Sequence, residues 1–298
     1  MSEATLTQRP PTLQSAASDR WAKRVYKASP WLHEEVGARM ASRLEFIRLQ
    51  PKQWLSWWPL QGGLQTHAQV QAIYPNAACW LQESTPQRQR LALQHLQAPW
   101  WQRFWKPKLS SATALPGAQV DMVWANMALH LSDQPQQLLQ QWHQSLAVDG
   151  FVMFSCLGPD TLRQLCDVYA RHNWPAPCHE FTDMHDWGDM LVHAGFAEPV
   201  MDMERLTLTY DSPARLLAEL RVLGRNFHVQ RFAACRGRGW YQQLQQALLA
   251  LASPQHDGRL VLTVEVIYGH ALKPLPKIKM SSESVIGLQD MRGLLKAK

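Results

Sequence analysis

A chain of 298 residues with 46% hydrophobic content can bury one large core, and nothing in that size calls for a disulfide or metal staple. Five cysteines, odd in number and never in C-x-x-C spacing, argue against a disulfide framework and a zinc knuckle and fit a reducing cytoplasm, while no run approaches the ~18 apolar residues of a membrane span. A formal charge of +6 favours an acidic partner, but charge alone does not choose among nucleic acid, a membrane surface and an acidic protein.

Residues 1–18 are rich in Ser, Thr, Gln and Pro without an apolar segment, and read as a disordered tail rather than a signal peptide. Val36, Met40, Leu44 and Ile47 recur at helical spacing, predicting a helix over 33–49 that stops before Pro51. A strand over 53–58 follows, closed by Pro59 and the Gly62-Gly63 pair, then a helix over 64–73 and a second strand over 77–82. Residues 86–105 read as a Gln-rich helix ending in a Trp cluster, with a weak third strand near 108–111. Val120, Met122 and Val123 form a buried strand that ends at Asn126. Leu138, Leu139, Trp142 and Leu146 then mark a helix, and Asp149-Gly150 turns the chain into the strand Phe151-Val152-Met153-Phe154. Strand, helix and strand in that order imply a right-handed parallel crossover, which puts Asn126 at the carboxyl end of an inner strand, where open α/β sheets bind ligands. Asp183 or a neighbour is expected to cap a helix carrying Trp187, Met190 and Leu191, and Ser212-Pro213 to open one carrying Leu216, Leu217, Leu220 and Leu223. Long strands are expected over 201–210 and 260–268, a Gln-rich helix over 240–252 between them, and a flexible basic tail over 273–298.

Four stretches carry a resemblance. The run Leu157-Gly158-Pro159-Asp160-Thr161-Leu162, the segment 183–196, the strand 202–210 and Val264-Glu265-Val266-Ile267-Tyr268-Gly269-His270-Ala271 resemble the biotin-synthesis methyltransferases. Those enzymes use S-adenosylmethionine (SAM) to methylate the free carboxyl of malonyl-(acyl carrier protein). The resemblance runs from about Asp19 to Ala271 and is denser after Val120. It implies a Rossmann-like α/β domain over 19–272 with a seven-stranded sheet, the last strand antiparallel between the fifth and sixth, and a helical lid insertion at about 212–258. It also implies that Tyr26 covers the cofactor and that Asn126 matches the Asn after the fourth strand.

The cofactor half departs from that pattern. In this fold an acid and a Gly-x-Gly-x-Gly loop follow the first strand, because only glycine lets backbone approach the ligand closely. Here the run is Trp54-Leu55-Ser56-Trp57-Trp58-Pro59-Leu60-Gln61-Gly62, with Ser56 in the acid's place and Gly62 left alone. Glu83 stands within a residue of the ribose-binding acid, and Ser111 replaces the adenine-binding one. Two missing charged acceptors cost about 3–6 kcal/mol, enough to move a micromolar site to millimolar or weaker. The Gly62-Gly63 pair by itself reads first as a plain turn, and each of the others has a structural alternative: Glu83 as a solvated acid, Tyr26 as a helix staple and Asn126 as a turn residue.

His179, His185 and His193 beside Cys178 have no tight ligand spacing, and no metal site is expected. Trp57, Trp58, Trp100, Trp101 and Trp105 suit core filling better than an aromatic binding face. Arg221, Arg225, Arg231, Arg236 and Arg238 form the densest basic cluster; a solvated face explains it as well as docking of an acidic acyl carrier protein does. Two readings follow: a SAM-dependent O-methyltransferase acting on a carrier-linked malonyl or related acyl carboxylate, and a cofactor-deficient relative kept as a binding or regulatory module. Nucleic-acid methylation has only the charge in its favour.

Overall fold

A computed structural model describes residues 12–25, 28–97, 109–111 and 119–276. Tyr26, Trp100, Trp101, Trp105 and the expected tail beyond residue 276 lie outside the described residues. In chain order the elements are α1 (Ser15–Ala22), α2 (Trp31–Ser42), β1 (Gln53–Trp57), α3 (Pro59–Gly62), α4 (Leu64–Ile73), β2 (Ala78–Gln82), α5 (Pro86–Leu96), β3 (Leu109–Ser111), β4 (Val120–Ala125), α6 (Pro135–Ser145), β5 (Leu146–Leu157), α7 (Arg163–Arg171), α8 (Met184–His193), β6 (Ala197–Tyr210), α9 (Pro213–Leu223), α10 (Arg238–Leu248), β7 (Ala252–Ser253) and β8 (Arg259–Leu272).

The strands form one sheet in the order β3-β2-β1-β4-β5-β8-β6, with the two-residue β7 added on β8. Strands β1 to β5 pair in parallel, and β8 runs antiparallel to both β5 and β6. The expected α/β sheet with its last long strand antiparallel between the fifth and sixth is therefore present. Period-two alternation sends successive side chains to opposite faces. Trp54, Met122 and Trp124 join the core on one face, and Leu55, Val123 and Ala125 join the core on the other. The second face is closed by Leu138, Leu139 and Trp142 of α6 and by Trp187 and Leu191 of α8.

Three of the four family-like stretches, 157–162, 202–210 and 264–271, meet around Glu265. Gly158 and Glu265 lie so close that a Cβ on Gly158 would fall 2.3 Å from the Glu265 carboxylate. The Glu265 amide donates to Thr161 Oγ1, whose hydroxyl donates to the Glu265 carbonyl. Arg205 of β6 bridges Glu265 and Asp160. The Asp183 carboxylate caps α8 by accepting from the His185 amide at 2.8 Å, and Ser212 caps α9 in the same way.

Three expectations are corrected. Residues 15–18 are not tail but the first turn of α1, and Ala17 and Trp21 pack with Leu13, Leu131 and Phe227 in a separate small core. A polar composition hid that spacing, and the Ser18 hydroxyl fixes it by donating to the Leu131 carbonyl at 2.5 Å. Leu146 does not end α6; it begins β5 opposite Val120, and Asp149 takes a positive φ of 62° where the register shifts. The first long helix is also shorter than its periodicity suggests, since the chain tightens into a 3₁₀ turn over Arg43–Phe46.

Candidate functional site: a lid-side cavity and a filled cleft

The carboxyl ends of β1, β2 and β4 face the place where an open α/β sheet takes its ligand. Instead of an open glycine loop, Trp58 adopts a left-handed conformation with φ 52° and folds the chain into α3. Pro59, Leu60, Gln61 and Gly62 are all buried. Gly62 lies against β4, where an added Cβ would come within 3.0 Å of the Asn126 carbonyl. The carboxamide of Gln61 is buried with neither end partnered among the described residues, the kind of group an ordered water satisfies.

Glu83, expected to meet a ribose, is sealed at the end of β2. Its Oε1 accepts from the Leu60 amide at 2.9 Å and its Oε2 from Arg88 Nε at 2.7 Å, with both side chains fully buried. Desolvation raises the Glu83 pKa, and the Arg88 charge pulls it back down. Arg88 also donates to the Ala22 carbonyl at 2.9 Å, tying the pair to α1. Asn126 is where the sequence puts it but is equally engaged. Its Nδ2 donates to the His33 carbonyl at 2.7 Å and to the Gly62 carbonyl, and its Oδ1 accepts from Ser155 Oγ at 2.6 Å. Ser56, in the acid's place, contacts His67 Nδ1 at 3.0 Å, and burial lowers that imidazole to about 3. The free amides at the start of α4 would suit an anion. Glu34 takes them, accepting from Gln65 N at 3.1 Å and Thr66 N at 2.9 Å. Of the candidate cofactor residues, Asn126 and Gly62 are thus bonded to one another, while Glu83 is held by Leu60 and Arg88.

The open space lies on the lid side. A cavity of about 220 Å³ sits between α2, α7, α9 and the loop after β4. Its aliphatic lining includes Leu32, Leu165, Leu217 and Leu220, with Arg221 and Arg225 at the exposed rim. His33 at the floor donates from Nδ1 to the Gln61 carbonyl at 2.8 Å, which leaves Nε2 as an acceptor; burial lowers its pKa to about 4, so it is neutral. Beside the cavity runs a groove lined by Arg20, Trp21, Arg24, Arg225, Asn226 and Arg231. The two spaces share Arg225 and Asn226. Arg221 thus borders the cavity, Arg231 the groove and Arg225 both. Arg20 and Arg24 lie beyond the expected tail but had no expected role; the packing of α1 on Phe227 is what brings them to the groove. Among the described residues no group of His, Cys, Asp or Glu is arranged to hold a metal ion, and no helix is long and apolar enough to cross a membrane.

This strand order, with a helical insertion before an antiparallel last strand, is that of the class I methyltransferases. A protein assigned as a methyltransferase from Bacillus halodurans C-125 superposes with a TM-score of 0.52 at 15% identity, over 80% of this chain and 100% of that one. The YcgJ protein of Bacillus subtilis gives 0.52 at 13% identity, over 81% and 99%. No family model matches the chain. A malonyl-[acyl-carrier protein] O-methyltransferase of Gallionella capsiferriformans is 35% identical over 88% of this chain and 90% of its own length. Its namesake in Laribacter hongkongensis is 37% identical over 87% and 88%. The chain belongs to the malonyl-[acyl-carrier protein] O-methyltransferase family.

The class implies SAM as methyl donor. The described residues at the strand ends do not fit it in the nucleotide pose: the glycine loop's place is filled by α3, the acid of β2 is bound to Arg88, and the acid of β1 is a serine paired with a neutral histidine.

Proposed function

We propose that the protein recognises a malonyl or related acyl carboxylate linked to an acyl carrier protein, the acceptor for which its relatives are named, in the service of O-methylation as in biotin synthesis in the cytoplasm. The supporting observation is the adjacency of a half-open, mainly aliphatic cavity and an arginine-lined groove, with Arg225 and Asn226 lining both. A carrier protein is acidic and delivers its acyl group on a long arm; a basic docking surface beside a narrow apolar chamber suits both parts.

Methyl transfer to a carboxylate oxygen needs alignment and charge compensation more than acid or base. Arg221 and Arg225 at the rim are placed to compensate a carboxylate, whereas the neutral His33 deeper in is not. The leucines of α9 exclude water from the bound acyl group. SAM is the donor the family implies.

A second reading keeps the same acceptor and dispenses with the donor: a cofactor-deficient binding or regulatory module. It is favoured by one observation, the burial of Glu83 against Arg88 and Leu60.

Surface plasmon resonance with malonyl-carrier protein at low and physiological salt tests the shared acceptor claim. Wild type is expected to bind saturably and more weakly at higher salt, and the triple variant Arg221→Glu, Arg225→Glu, Arg231→Glu to bind several-fold more weakly by reversing the steering field. Absent binding, or equal binding by the two proteins, contradicts the reading.

A further inference from the structure

We infer that α3 and the Glu83–Arg88 pair are built-in occupants of the donor cleft, so that this chain does not hold SAM in the pose its fold provides. The inference does not depend on the acceptor reading; it decides between its two forms, against donor use in the usual pose and for the binding module that keeps the same acceptor.

Four features converge. Space is the first: Leu60 and Gln61 are each 1% exposed, and Gly62 rests on the Asn126 backbone, so no room remains for a ribose between α3 and β4. Acceptors are the second. Both carboxylate oxygens of Glu83 are engaged, one by a guanidinium that is itself enclosed and bonded to the α1 carbonyl of Ala22. A ribose would have to displace a fully buried charge from its partner, and a buried arginine without its carboxylate is strongly destabilised. The helix end is the third: the Leu64 amide donates to Ser29 Oγ, Glu34 accepts from the Gln65 and Thr66 amides, and Gly63 leaves no gap, since a Cβ there would meet Glu34 Oε2 at 2.7 Å. The fourth is Asn126, whose amide and carbonyl ends are spent on His33, Gly62 and Ser155.

These contacts do not describe a latch over an intact site. A latch that swung away would uncover an acid and a run of glycines, whereas here Ser56 and the Trp57-Trp58-Pro59-Leu60 bulk belong to the site itself. The absence of two charged acceptors alone removes two to four orders of magnitude in affinity. The chamber beyond α3 stays open, so the acceptor side survives the closure.

The test is calorimetric titration of the full-length chain with SAM up to 1 mM, paired with thermal melts of the same sample with and without 1 mM SAM. No saturable heat tighter than about 0.1 mM and a cooperative melt whose midpoint SAM does not move are expected. A micromolar dissociation constant, or a melting midpoint raised by several degrees, overturns the inference. The double variant Pro59→Gly, Leu60→Gly, which loosens α3, separates a lost site from a latched one. It too is expected not to bind SAM, and binding that appears only in this variant overturns the inference in favour of a gate. An unshifted cooperative melt supports it whether or not the carrier protein binds, so failure here and failure of the acceptor reading are told apart.

Discussion

Glu83 shows how one residue's partners change its meaning. At the end of β2 a carboxylate with free oxygens would be a ribose ligand; with Arg88 and the Leu60 amide attached it is a structural bolt joining β2, α3, α5 and α1. Replacing Glu83 by Ala leaves Arg88 buried without its carboxylate, and urea denaturation is expected to show a loss of about 3–5 kcal/mol. A stability unchanged within error would mean that the pair is not closed in solution. Asn126 is read the same way. Asn126→Ala strands the Ser155 hydroxyl and the carbonyls of His33 and Gly62, with an expected cost of about 1–3 kcal/mol in the same assay. Unaltered stability would return Asn126 to the ligand side. The sequence placed both residues correctly at strand ends, since hydrophobic runs mark where strands stop. It did not reveal their partners: Ser155 and Arg88 are ordinary residues whose role exists only after β5 and α5 have packed. The left-handed turn at Trp58 likewise has no signal in composition, because tryptophan seldom takes that conformation.

At the scale of elements, periodicity carried most of the fold. Parallel strands buried on both faces read as apolar runs, and Ser212-Pro213 and Asp183 announced α9 and α8 through capping chemistry. What failed was whatever depended on distant contacts. Leu146 fits a helical repeat and still belongs to β5, because its pairing with Val120 wins over local spacing. Helix α1 is the more consequential case, for it brings Arg20 and Arg24 to the groove and covers Arg88 with the Ala22 carbonyl. Trp21 is 4% exposed and packs edge-on against Phe227 at 6.2 Å. Trp21→Ala is expected to cost about 3–5 kcal/mol in chemical denaturation and to weaken carrier binding along with it. A truncated chain beginning at residue 23 that kept full stability and full carrier binding would show α1 to be dispensable.

For the molecule as a whole, buried imidazoles set the response to acid. Desolvation lowers His33 and His179 to about 4 and His67 to about 3, from an ordinary 6.5. Between those limits the unfolded chain binds protons that the folded chain refuses, so stability is full above about pH 6.5 and declines as pH falls towards 4. Each of these histidines contributes on the order of 2 kcal/mol to the decline by pH 5. The melting midpoint is therefore expected to drop steeply from pH 7 to pH 5, and a flat profile over that range would show the imidazoles to be solvated. Acid sensitivity also sets the conditions for the central claim, which concerns the lid side and not the closed cleft. The most direct test of it is the affinity for malonyl-carrier protein at pH 7.5, measured at two ionic strengths for wild type and for the Arg221→Glu, Arg225→Glu, Arg231→Glu variant. Saturable wild-type binding that weakens with salt and falls several-fold in the variant is the predicted result; no binding, or binding indifferent to both salt and the three arginines, would contradict it.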